Sequence, residues 1–119
     1  VPGARRRDAA GVLKGVGSGV GQTTARACVL RGPEDFGEMR PGDVLVAVTT
    51  TPAWTPLFAI ASAVVTDIGG PLSHSSIVAR EYGIPAVMGV GDGTRLIRTG
   101  QTVTVDGIAG TVVVSRNGN

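Results

Sequence analysis

Apolar positions in this chain come in short runs of three to five residues, cut by glycine and proline, not in a long helical stripe. Val12 to Val20 alternates loosely with glycine and predicts a weak first strand. Thr24 to Leu30 predicts a second, with Ala25, Ala27 and Val29 on one face. Val44 to Val48 is continuously apolar, as a strand buried on both faces would be. Ala63 to Thr66 and Ala86 to Met88 read as further buried strands, and Thr102–Val105 and Thr111–Val114 as a hairpin turning at Asp106-Gly107.

Helical signals lie between these strands. Thr55 is placed to cap a helix with Pro56 at its first position, running to about Ser62 with Leu57, Ile60 and Ala61 inward. A second helix is predicted from His74, with Ser73 as N-cap and Gly83 as C-cap, and Pro85 blocks its continuation. Ile77, Val78 and Tyr82 should bury it, Ser75 and Arg80 should lie nearer solvent, and Leu72 and Ile77 are spaced as a hydrophobic staple. Asp92-Gly93-Thr94 opens a single turn with Leu96 and Ile97 inward. Trp54, the sole tryptophan, falls in a loop, where core filling and a contact to another domain are equally open. The element order predicts a mixed β/α domain.

Composition narrows the class. The 119 residues fit one domain, expected over 11–115, with residues 1–10 as linker and 116–119 as a frayed tail. The start at Val1, without methionine, suggests a domain cut from a longer protein. Aromatic residues make up only 3%, so the core must be built from small and branched side chains. The lone Cys28 excludes an internal disulfide and reads as a small buried hydrophobe. No apolar run approaches the roughly 18 residues of a membrane span, and no signal-peptide pattern is seen, so a cytoplasmic setting is expected. Net charge is +2 and the only basic cluster is Arg5-Arg6-Arg7; without interleaved aromatics it reads as a solvated linker, not a nucleic-acid site. The glycines at 15, 17, 19 and 21 fit no phosphate-loop spacing and read as a place where backbones pack closely.

The chemistry concentrates at Gly69-Gly70-Pro71-Leu72-Ser73-His74-Ser75-Ser76, which contains the only histidine. A helix start has unpaired N–H groups and partial positive charge, which favours a neutral ring over its cation. The neutral ring has a lone pair that can attack phosphorus. The N–H groups, with the hydroxyls of Ser73, Ser75 and Ser76, can then hold the added negative charge. Gly69 and Gly70 permit a tight turn and leave the ring accessible. A lone histidine with no cysteine partner makes a poor metal site, and Asp67 is the one nearby carboxylate that could orient it as an acid-base. The residues alone leave a phosphate-handling histidine and an ordinary helix cap both open.

The stretch Gly69 to Val87, including Ala79-Arg80 and Gly83-Ile84-Pro85-Ala86-Val87, resembles the active-site signature of the mobile phosphohistidine swivelling domain of phosphoenolpyruvate-utilising enzymes. Gly42 to Val46, Thr51 to Trp54, Val65-Thr66, Gly100 to Val113 and Gly19 to Arg26 extend the likeness to nearly all of residues 12–114. Ser18 stands where the family usually has proline, and Thr23 where it has glycine. The resemblance implies an α/β fold of the swivelling β/β/α type, with mixed sheet layers and helices packed on one side. It implies that His74 takes a phosphoryl group at one active site and carries it to another. The family includes phosphoenolpyruvate synthase, pyruvate,phosphate dikinase, the sugar phosphotransferase enzyme I and rifampin phosphotransferase. The implied partners are nucleotide-binding and phosphoenolpyruvate, pyruvate or drug-acceptor domains of the same or another chain. ATP and magnesium are expected there, and no cofactor in this domain. Leu72 occupies the position where pyruvate,phosphate dikinase has a regulatory threonine, which argues against that control. Trp54 to Phe58 and Arg80 to Gly83 look most like the synthase-like and rifampin-type members. The alternative is a docking domain that has lost transfer; the intact His74 and glycines speak against it.

Overall fold

The continuous apolar runs become the centre of the sheet: β4 (Val44–Ala47), β5 (Ala63–Thr66) and β6 (Ala86–Met88). A computed structural model describes residues 11–115 of the chain; the expected linker with Arg5–Arg7 and the expected tail lie outside them. The three strands are parallel, with Val46 beside Val65 and Val65 beside Val87. Every residue in them is buried because each face meets a different core. Leu45, Ala47, Val64, Ala86 and Met88 point into one, with Phe58, Val78 and Ala79. Val44, Val46, Ala63, Val65 and Val87 point into the other, with Val103, Val105 and Val112.

A long strand, β3 (Gln22–Val29), links two layers. Its second half runs parallel to β4, with Ala27 opposite Val44. Its first half pairs antiparallel with β7 (Thr102–Asp106), which forms a hairpin with β8 (Thr111–Val114). The hairpin turn is held by the Asp106 carboxylate, which accepts the N–H groups of Ile108 and Ala109, each at 2.9 Å. The buried Asp43 carboxylate accepts from the Arg26 guanidinium and, at 3.0 Å, from the Arg40 N–H. That ties β3 to the turn before β4.

The first predicted strand is not one strand. Val12 to Val20 divides into β1 (Val12–Lys14), paired with β8, and β2 (Val16–Gly17), paired with β6. Gly15 turns the corner, and a β-carbon there would lie 2.2 Å from the Met88 carbonyl oxygen. The expectation of close backbone packing holds at Gly15 and Gly17, where a β-carbon would meet a carbonyl oxygen at 2.2 Å, but not at Gly19 and Gly21, which face open space. The sheet runs β1-β8-β7-β3-β4-β5-β6-β2, so both its ends are formed by one short stretch of chain.

Two helices, α1 (Thr55–Phe58) and α2 (His74–Tyr82), contribute Leu57, Phe58, Val78 and Ala79 to the first core. A single turn, α3 (Gly93–Leu96), serves the second, where Ile97 is buried; Leu96, expected inward, is exposed. Thr55 does not cap α1. A 3₁₀ turn over Pro52–Trp54 runs straight into the helix, so Thr55 already has helical dihedrals (φ −51°, ψ −40°) and its side chain caps nothing. The helix is also shorter than predicted and buries Phe58. Trp54 packs edge-on against Phe36, with ring centroids 4.9 Å apart, inside the first core. Phe36 comes from a 3₁₀ turn, Pro33–Glu38. No helix among the described residues is long and apolar enough to cross a membrane.

Candidate functional site

The candidate site lies beyond the carboxyl ends of β4 and β5, where a parallel sheet presents its loops. The loop after β4 supplies Thr50. The loop after β5 supplies Gly69 to Ser73 and then α2, with His74 as its first residue. Ser73 is the N-cap: extended (φ −72°, ψ 160°), its hydroxyl accepting the Ser76 N–H at 3.4 Å and donating to the Gly70 carbonyl at 2.8 Å. Gly83 closes the helix in the left-handed conformation (φ 70°), as predicted. Gly69 has φ 137°, and a β-carbon there would press on the Ser73 hydroxyl at 3.1 Å. The turn before the histidine thus depends on the missing side chain.

The buried face of α2 differs from the predicted one. Val78, Ala79, Ser75 and Ser76 are buried, while Ile77 (42% exposed), Tyr82 and Leu72 (84% exposed) face outward. Small residues let the helix lie close to β5 and β6, and the large ones are left outside. With Leu72 so exposed, no hydrophobic staple fixes the entry of the chain. Arg80 is exposed as expected, and its guanidinium reaches back to the Pro71 carbonyl at 3.0 Å.

His74 is partly exposed. Its Nδ1 lies 3.0 Å from the Thr50 hydroxyl, and its ring stands edge-on to Phe58, with centroids 6.1 Å apart. Thr50 also hydrogen-bonds the Ser75 hydroxyl. With Nδ1 occupied, Nε2 is the ring nitrogen left for chemistry. Among the first-turn amides, Ser73 engages those of Ser76 and Ile77 through its hydroxyl and its carbonyl, which leaves those of His74 and Ser75. Asp67 does not orient the histidine. Its carboxylate accepts the Thr94 hydroxyl at 2.6 Å and the Thr94 N–H at 3.2 Å, bracing the loop against α3.

The sequence reading brought Gly69, Gly70, Ser73, His74, Ser75 and Ser76 together correctly as one turn and helix start, but missed Thr50. Nothing local marks Thr50; only the parallel pairing of β4 with β5 brings it beside a residue 24 positions later. A cleft of about 580 Å³ lined by Arg31, Arg95 and Arg98 includes none of the residues around His74. Among the described residues no group of three or more His, Cys, Asp or Glu side chains could hold a metal ion.

Comparison with known proteins places the chain in a family. Residues 39–110 match the family described as PEP-utilising enzyme, mobile domain. The phosphoenolpyruvate synthase of Aeropyrum pernix is 46% identical over 102 residues, covering 85% of this chain and 12% of that protein. The rifampicin phosphotransferase of Bacillus subtilis is 40% identical over 105 residues, covering 88% of this chain and 12% of that protein. The chain thus spans only about an eighth of the length of these relatives. An NMR solution structure of Enzyme I superposes with a TM-score of 0.58 at 36% identity, covering 66% of this chain and 32% of that one.

Proposed function

The chain belongs to the mobile-domain family of phosphoenolpyruvate-utilising enzymes, a phosphohistidine-carrier family, and from that premise we propose that His74 is the residue that carries the phosphoryl group. The observation that supports this most is the geometry of the ring: Nδ1 is engaged by Thr50 while the partly exposed ring keeps Nε2 available at a helix start.

The chemistry follows from that placement. The Nε2 lone pair attacks the phosphorus of the donor; the Nε2–P bond forms, and the P–O bond breaks with its electron pair leaving on the donor oxygen. The proton on Nδ1 stays, shared with the Thr50 oxygen. The transferred group arrives as an anion, and the free amides of His74 and Ser75 at the positive end of α2 face it favourably. Hydroxyl support is narrower than the sequence suggests, since Ser73 is engaged in the cap and Ser75 is buried against Thr50. Gly69 and Gly70 shape the turn. Return transfer to an acceptor reverses the same steps.

The donor reaction we propose is dikinase-like: on a nucleotide-binding domain, with magnesium, Nε2 of His74 takes the β- and γ-phosphates of ATP as AMP leaves. Water removes the γ-phosphate as inorganic phosphate, and the carrier delivers the remaining β-phosphoryl group to pyruvate on another domain. The likeness to a phosphoenolpyruvate synthase supports this. A second reading, delivery to a rifampicin-type drug, draws on the likeness to a rifampicin phosphotransferase. Either setting is cytoplasmic in this proposal. A partly exposed histidine suits the role, because two different catalytic sites must reach it.

The test is phosphoryl labelling. The chain, supplied with the family's charging domain and ³²P-ATP labelled at the β position, should acquire acid-labile, base-stable label. His74→Ala should acquire none. Label that survives that substitution, or sits on a serine or threonine, overturns the assignment. Chasing the labelled domain with pyruvate or with a rifamycin separates the two acceptors.

A further inference from the structure

The cleft of about 580 Å³ opens on the side of the second core, between the end of β3 and the segment around α3. Arg31, Arg95 and Arg98 line it, and no Asp or Glu does. We propose that this cleft is a binding site, separate from His74, for a small molecule that carries a di- or triphosphate.

Donors far outnumber acceptors among the lining side chains. A guanidinium has five N–H donors, no acceptor and a permanent charge. Those of Arg31 and Arg98 make no ion pair and no hydrogen bond among the described residues. Arg95 meets only Asp92, at 3.4 Å, with both side chains exposed, and such a surface pair contributes little. The Thr99 hydroxyl accepts the Val29 N–H at 2.9 Å, so its own proton is left to give. The Thr94 hydroxyl is already spent on Asp67, at 2.6 Å. A ligand rich in negative oxygens satisfies this lining, and a cation or a neutral donor does not.

Charge and shape narrow the class. Three like charges in one cleft repel one another, and an anion of two or more charges offsets them better than a single one. The planar fork of arginine matches phosphate oxygens two at a time. The volume falls within the range of small-molecule sites, about 300–1,000 Å³. The floor is apolar: Ile97 is buried, and Val29 packs with it in the second core. Such a floor suits the organic part of a compact molecule, whereas an acidic protein face would meet the arginine tips alone.

The backbone beneath each cation is held in advance. The Arg31 N–H donates to the Asp35 carboxylate at 3.0 Å, the Arg98 N–H to the Gln101 side-chain carbonyl at 2.8 Å, and the Arg95 N–H to the Asp92 carbonyl at 3.1 Å. Only the arginine side chains remain to be ordered when a ligand arrives, which keeps the entropic cost of binding low.

The test is a titration of the ¹⁵N-labelled chain, in about 0.15 M salt to screen diffuse attraction, with tripolyphosphate and, separately, with ATP. Shifts should saturate and centre on Arg31, Thr94, Arg95, Arg98 and Thr99, leaving the His74 signals in place. Arg31→Gln and Arg98→Gln should each weaken binding by about tenfold or more. Both positions are exposed, so neither change threatens the fold. Lys14→Gln removes the same charge from an exposed site on β1 and should leave the affinity nearly unchanged. Tighter binding of ATP than of tripolyphosphate places an organic part on the Val29–Ile97 floor; equal binding assigns the site to the phosphate chain, and either supports the proposal. Shifts that never saturate, shifts centred on His74 and Ser75, or an equal loss in Lys14→Gln overturn it. So does saturable binding of a polyglutamate peptide but of neither phosphate, which would make the cleft a dock for an acidic protein. None of these outcomes depends on His74 as carrier, so failure of labelling there leaves this site untouched.

Discussion

The rings of Phe58 and His74 meet edge to face, with planes 88° apart, although one belongs to the core and the other to the surface. Phe58 is almost fully buried among Leu57, Trp54 and Val78. The ring of His74 is thereby backed by a buried core side chain, and only its Thr50 contact is polar. Phe58→Ala should destabilise the fold by about 3–5 kcal/mol, and Phe58→Leu by less than about 1.5 kcal/mol. Denaturant titration measures both. The leucine variant, still folded, should show a wider range of His74 ring orientations and slower labelling.

The cap offers a cleaner local test. Ser73→Ala removes the acceptor for the Ser76 N–H and should destabilise by about 1 kcal/mol. Ser73→Thr keeps the hydroxyl and should recover most of that. Equal loss in both variants would show that the methylene environment, not the hydrogen bond, is what the position needs.

At Gly69 the backbone itself is tested. Its φ of 137° lies where side chains strain the chain, and a β-carbon would crowd Ser73. Gly69→Ala should cost about 1–3 kcal/mol and displace the cap, so labelling of His74 should fall more steeply than stability does. Gly70→Ala, with open space at its β-carbon, should be the milder change at the same turn.

Cys28 gives a pH prediction. Burial, and then the neighbouring Asp43 carboxylate, push its thiol pKa up. The folded thiol thus keeps its proton at pH values where the unfolded one loses it. Its contribution to stability is present below the ordinary thiol range of ~8.5 and is lost as pH rises beyond it. Cys28→Ala should flatten that alkaline decline in a melting series. In the unchanged chain at neutral pH, alkylation should be slow when folded and fast in denaturant.

What could be read from the sequence was what local chemistry decides. Ser73 and Gly83 bracket α2 because caps are specified by the residues themselves. The runs at Val44, Ala63 and Ala86 declare strands covered on both faces. What could not be read depends on distant neighbours. Thr50 becomes part of the site only through the pairing of β4 with β5. The buried face of α2 went to Ser75, Val78 and Ala79 over Ile77 and Tyr82, since closeness to the sheet outweighed hydrophobic size there. Thr55 failed as a cap because the 3₁₀ turn before it had already begun the helix. The break at Gly15 reflects two partners, β8 and β6, that a single alternating pattern does not reveal.

The corner at Gly15 also bears on how such a body travels. A domain that visits successive neighbours is exposed, between visits, to every other chain around it, and an unpaired strand margin is the surface most prone to stick. Here the outer margins are strands of three and two residues, both contributed by the same few positions before and after Gly15. Such stubs offer another chain little unpaired margin to pair with.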